Sequence, residues 1–240
     1  MNETPQTAPN TRPTIVAVDG PAGAGKSTVA MQLARRLALP FLDTGAMYRA
    51  VGLCALRAGY SPSIELDDGG RALAALAMEK LRFQPEPDRM RVFIGDEEVT
   101  ERIRSPQCSL MASAVSAFPA VRQALVDEQR RLGLRSGGVM EGRDIGSVVF
   151  PDALLKVFLT ASPEVRARRR HRELTARGED VTLDSVRQEQ AERDLRDTSR
   201  PSSPLHVPRG AVVVDTSELS LEQVVDRLQG LFRERVSTPE

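Results

Sequence analysis

The chain has 240 residues, with 33 Lys plus Arg against 33 Asp plus Glu and 40% hydrophobic residues. That is enough apolar material for one large domain, or a domain with small inserted lobes, and the neutral balance excludes recruitment of nucleic acid by net charge. No apolar run approaches the roughly 18 residues of a membrane span, no signal peptide precedes the first strand-like run, and the two separated cysteines, Cys54 and Cys108, fit buried thiols in a reduced, cytoplasmic protein.

The first 13 residues, rich in Pro, Thr and Asn, read as a disordered lead. Thr14 to Val18 is a short β-branched run and predicts a buried strand. Gly20, Pro21, Ala22, Gly23, Ala24, Gly25, Lys26 and Ser27 follow and fit G-x-x-x-x-G-K-[ST]. Val29, Leu33 and Leu37 then space as one face of a helix. Strand, glycine loop and helix are the context a phosphate-cradling loop needs. Its glycines let consecutive N–H groups point at one anion, and the helix N-terminus adds partial positive charge. Residues Gly20 to Thr28 are therefore the predicted ATP-binding segment. Lys26 is expected to reach the β- and γ-phosphates, and the Ser27 hydroxyl to ligate Mg²⁺.

Phe41-Leu42 predicts a second strand ending in Asp43, and a helix is expected over 45–58. Thr44 reads as an N-cap. Arg49 lies one turn past Gly45, either pointing back toward the phosphates or simply exposed. A helix is expected over 70–79. Residues 81–99 break the alternation: Phe83, Met90, Val92 and Ile94, with turns at Pro85–Asp88 and Gly95-Asp96, predict small antiparallel strands inserted into the core. A helical stretch follows over 106–134, interrupted at Pro119. Val139-Met140 leads to Glu141, and Glu141-Gly142-Arg143-Asp144-Ile145-Gly146 sets an Arg and an Asp between two glycines. Arg143 there can neutralise phosphoryl oxygens and Asp144 can accept from a donor, although a salt-bridged turn has the same pattern.

Leu154–Leu159 is an apolar run broken by Lys156, helices are expected over 163–177, 182–196 and 220–235, and Ala211–Val214 leads to Asp215. Residues 193, 196, 197 and 200 share one helical face of three Arg and one Asp, which as a solvated face is ordinary. Alternating strands and helices predict an α/β fold: a P-loop parallel sheet flanked by helices, with an inserted lobe and a short lid. Strands ending in Asp43, Glu141 and Asp215 place carboxylates at the C-terminal edge of the sheet, where such sheets bind ligands.

A P-loop alone serves switches, motors and small-molecule kinases. No Asn-Lys-x-Asp guanine-reading motif is present, which weakens a nucleotide-hydrolysing switch. Arg166, Arg168, Arg169, Arg170 and Arg172 crowd one stretch, yet lack the interleaved aromatics of a nucleic-acid surface. A kinase for another small acceptor, such as shikimate or AMP, stays open on the residues alone.

Together the glycine loop, Leu42–Arg49, Ala117-Phe118-Pro119 with Val121-Arg122, Glu141–Gly146, Val149–Asp152 and Arg193–Arg200 resemble the bacterial cytidylate kinases, over essentially residues 14–235. The resemblance implies transfer of the γ-phosphoryl of Mg-ATP to CMP or dCMP, in pyrimidine nucleotide metabolism. It implies an acceptor-phosphate clamp of Arg49, Arg143 and Arg200, with Lys26, Arg143 and Arg200 carrying the chemistry. Ser113, Arg122 and Asp144 would read the base, and Arg193 and Asp197 would hold the ribose. Asp43, Thr44 and Tyr48 complete the CMP-binding set. Thr44 stands where some members have Ser and Ser147 where many have Thr; both keep a hydroxyl. The implied layout is a core of 14–44, 106–160 and 200–235, a monophosphate-binding lobe of 45–105, a lid at about 163–178, and a tail of 236–240. The expected partners are nucleotides alone, with no nucleic acid or membrane, for a monomer.

Overall fold

The computed structural model describes residues 13–61, 69–199 and 203–237. Nearly all of the expected lead, most of the tail, and Arg200 lie outside the described residues. Five strands form one parallel sheet: β1 (Ile15–Asp19), β2 (Phe41–Asp43), β6 (Gly138–Gly142), β7 (Leu155–Thr160) and β8 (Val212–Asp215), in the order β2-β6-β1-β7-β8. β1 is central, paired to β6 from Ile15↔Gly138 to Asp19↔Gly142 and to β7 from Val16↔Leu155 to Asp19↔Phe158.

Period-two alternation divides the core between the two faces of this sheet. Ile15, Ala17, Leu42 and Met140 pack toward α2 (Thr44–Arg57), α4 (Pro106–Val115) and α5 (Pro119–Ser136). Val16, Val18, Val139, Leu155, Val157, Leu159 and Val214 pack toward α1 (Lys26–Leu37) and α8 (Leu221–Ser237).

The remaining elements are α3 (Gly69–Lys80), β3 (Leu81–Pro85), β4 (Met90–Ile94), β5 (Glu97–Glu98), α6 (Pro163–Ala176) and α7 (Leu183–Ser199). β3, β4 and β5 form the expected antiparallel sheet, with Phe83 opposite Val92 and both buried. The lobe is tied to the core, since the Phe41 N–H at the start of β2 donates to the Glu86 carbonyl at 2.8 Å.

The stretch expected over 106–134 is two helices, α4 and α5, bent by 104°. Pro119 has no N–H to continue α4, and it holds Phe118 extended at φ −80, ψ 121. Two turns were not legible in the sequence: a 3₁₀ turn at Arg102–Arg104 and a π-turn at Ile145–Val149. No single helix among the described residues is long and apolar enough to cross a membrane. Cys54 and Cys108 are buried free thiols.

Candidate functional site

The glycine loop joins β1 to α1 at the C-terminal edge of the sheet, and Gly25 at φ 88 stands at the N-cap of α1. Gly20 has φ +146, and a Cβ there would lie 2.0 Å from the Leu159 carbonyl oxygen on β7. Neither backbone can yield without unpairing β1 from β7. Gly20→Ala is therefore expected to destabilise the fold by at least about 2 kcal/mol, read as a lower urea midpoint at unchanged slope.

Lys26 is 5% exposed, and its Nζ donates to the Pro21 carbonyl at 2.7 Å. Burial first, and then the charge of Arg143, pull its ammonium down to about 7. Glu141, near the end of β6, is held above the usual carboxylate range by burial and by the charge of Asp43, while the Ser27 hydroxyl hydrogen-bonds it. Among the described residues no three His, Cys, Asp or Glu side chains converge as a metal cage. The Ser27 hydroxyl, with Glu141 and Asp43 nearby, is a set of hard oxygens, which suits a small divalent cation bound mainly through phosphates.

Across the cavity from the loop, Asp43 rather than Thr44 caps α2, a correction to the sequence expectation. The Asp43 carboxylate accepts from the Ala46 N–H at 2.8 Å and from Arg49 at 2.9 Å. Thr44 is already helical, and its hydroxyl donates to the Glu141 carbonyl at 2.7 Å, tying α2 to β6. Arg49 is thus ion-paired rather than simply exposed. Arg122 of α5 and Asp144 form a buried ion pair, with the Arg122 guanidinium 5.9 Å from the Tyr48 ring centroid. Arg143 pairs with Asp197 of α7 at 3.0 Å. Arg193 is pulled down to about 10 by burial and then by Arg143.

These groups line one cavity of about 760 Å³, which runs from Ala22 to Thr28 in the loop to Thr44, Ser113 and Asp197. Gly20 and Pro21 are not among its lining residues; they shape the loop from behind. Arg196, expected on the same face as Arg193 and Asp197, is exposed and does not line the cavity, because a helix facing a cleft at 193 and 197 turns 196 toward solvent.

Several residues of the site escaped sequence reading. Arg169 and Arg170 of α6 line the cavity whereas Arg168 and Arg172 do not, a choice set by how α6 is rotated. Arg169 is anchored on Thr216, donating to its hydroxyl at 2.9 Å. Arg166 is buried and joins the Ala22 carbonyl of the loop at 3.1 Å to Asp194 of α7 at 2.7 Å. Asp19 is fully buried directly before the loop. Its one available signal was an acid ending β1, as acids stand at or near the ends of β2, β6 and β8.

The family model described as cytidylate kinase matches residues 16–234. A cytidylate kinase of Exiguobacterium sibiricum is 50% identical over 216 residues, covering 90% of this chain and 95% of that protein. A cytidylate kinase of Pelotomaculum thermopropionicum is 50% identical over 212 residues, covering 88% and 92%. A solved structure of an uncharacterized protein from Eubacterium ventriosum superposes with a TM-score of 0.51 at 11% identity, over 93% of this chain and 99% of that one, and carries the fold alone.

Proposed function

This chain belongs to the cytidylate kinase family of nucleoside monophosphate kinases, and on that premise we propose that its cavity transfers the γ-phosphoryl of ATP to CMP or dCMP, giving ADP and CDP or dCDP. The observation that carries the reading is the shared cavity: Lys26 of the loop, Arg49, Arg143 and Arg193 line it together with the buried Arg122–Asp144 pair.

Little covalent chemistry is asked of the protein, because the acceptor is already a phosphate oxygen. The work is to hold two polyanions in line and to neutralise charge on the transferring group. Lys26 and the loop N–H groups take the donor phosphates. Arg49 and Arg143, with Arg200 proposed beside them from the family motif, take the acceptor phosphate. Arg193 and Asp197 take the ribose, and Thr44 and Tyr48 flank the acceptor. Ser27 would hold Mg²⁺, with Asp43 and Glu141 beyond it; the ion supplies charge neutralisation on the donor phosphates when bound. Closure of the 45–105 lobe and the 163–178 lid over the cavity belongs to the same reading, since it keeps water from the phosphoryl group. We read the protein as a cytoplasmic monomer acting on free nucleotides, without nucleic acid or membrane.

Base choice follows from hydrogen-bond polarity. Cytosine presents an amino donor at N4 and acceptors at N3 and O2. Asp144 and Ser113 can accept from the amino group, and Arg122 can donate to the acceptors. Uracil instead turns a carbonyl toward a carboxylate, with no proton between them. Such a mispairing costs about 1–3 kcal/mol, and more where the buried group is a charged carboxylate, so CMP is expected to exceed UMP in kcat/KM by at least about tenfold, the ratio that about 1.4 kcal/mol supplies. A coupled ADP-release assay with Mg-ATP and CMP, dCMP, UMP, AMP or no acceptor tests this. Fast turnover with CMP and dCMP alone supports the assignment. Equal rates on CMP and UMP reject the base readers, and ADP release indifferent to acceptor rejects the kinase reading.

A further inference from the structure

We propose that Asp19, at the end of β1, is a positioning residue for base selection: it caps the turn that carries Arg143 and Asp144, and so leaves the Asp144 carboxylate to Arg122 and the acceptor base. The inference rests on the cytidylate kinase reading of the cavity and adds to it a residue that lines none of it.

Asp144 stands at the N-cap of the π-turn Ile145–Val149, and its own side chain makes no cap hydrogen bond. An Asp at that position ordinarily accepts from the N–H groups of the turn it begins. Here the Asp144 carboxylate is committed to Arg122. The orphan N–H groups are satisfied from another strand instead. Asp19 accepts from Ile145 N–H through Oδ1 at 2.8 Å and from Gly146 N–H through Oδ2 at 2.7 Å. The far end of the turn is held too, since Arg130 donates to the Val148 carbonyl at 2.7 Å and to the Val149 carbonyl at 3.1 Å. Arg122 and Arg130 both belong to α5. The turn is therefore clamped between β1 and α5, and Asp144 sits where the two clamps meet.

The clamp also links this turn to the glycine loop. Asp19 immediately precedes Gly20, the first residue of the loop, and pairs in register with Gly142. One carboxylate thus sets the turn bearing Arg143 and Asp144 against the strand that feeds the donor-phosphate loop. Gly146 permits the approach: a Cβ there would lie 3.3 Å from Asp19 Oδ2 and 3.2 Å from the Lys156 side chain. Burial makes the ionised form of Asp19 costly to fold; the two N–H groups offset part of that cost, Asp144 adds to it and Lys26 reduces it. Asp19→Asn removes that cost and keeps one acceptor but turns its amide N–H₂ toward the second N–H, and Asp19→Ser leaves one hydroxyl for the two; each orphans one turn N–H at about 1–3 kcal/mol, a loss within the stability of a folded domain.

The test measures kcat and KM for CMP, UMP and ATP in wild type, Asp19→Asn and Asp19→Ser. The ratio of kcat/KM for CMP to that for UMP cancels the amount of folded enzyme, so a merely structural role does not move it. The expected result is a fall in that ratio of at least about threefold in both variants, with KM for ATP within about twofold of wild type. A ratio unchanged while both rates fall equally overturns the proposal. So does failure of both variants to fold, which would make the carboxylate a core element. A wild-type enzyme without CMP preference would overturn the underlying reading as well, and is distinguished by the wild-type arm alone.

Discussion

Lys26→Met is expected to lower kcat by about 10²–10³-fold, the scale set by removing one preorganised donor from a transferring group, while leaving the fold within about 1 kcal/mol of wild type. The two halves of that expectation have one cause. Lys26 is buried near Arg143 and Arg193, and its ammonium is pulled down to about 7 by desolvation and by those charges. Its Nζ donates to the Pro21 carbonyl at 2.7 Å. Methionine fills a similar volume and loses that bond, but it no longer carries a desolvated charge. A stopped assay at saturating ATP and CMP, beside a urea titration, reads both halves. A kcat within about threefold of wild type would remove Lys26 from the transfer step.

Arg143→Ala is expected to cost a similar 10²–10³-fold in kcat, roughly, by the same reasoning. Arg143 lies on the turn after β6, paired with Asp197 at 3.0 Å, and its charge reaches both Lys26 and Arg193. Removing it relieves the repulsion on those two cations, so the free enzyme loses a strain as the transition state loses a partner. Arg143→Lys keeps a charge but not the planar fork, and is expected to recover only part of the loss. Near-normal turnover of the alanine variant would exclude Arg143 from the phosphoryl clamp.

The legible part of this protein was local. The glycine loop is encoded in eight consecutive residues between a β-branched run and a helical face, and the structure has strand, loop and helix at those positions. The antiparallel insert was legible because Phe83, Val92 and their turn residues follow a period of two. The break at Pro119 was legible because proline lacks an N–H. Pairings between distant segments were not. Nothing in the spacing of Asp19, Arg122 and Asp144 says that the first caps the turn of the third while the second takes its carboxylate. Arg166 and Arg169 are indistinguishable from Arg168 and Arg172 along the chain.

The parallel α/β plan and the phosphate loop are legible along the chain alone, as are the motif blocks that carry the family resemblance. The plan and the loop follow from backbone preferences and periodicity, which act between residues a few positions apart; the family follows from the resemblance of the motif blocks. Which acids and arginines are partners, that Asp43 and not Thr44 caps α2, and which arginines of α6 face the cavity were set by packing between distant segments. Burial is the physical reason. A charged group removed from water must find a partner in space, and the sheet order β2-β6-β1-β7-β8 rather than chain order sets who that partner is.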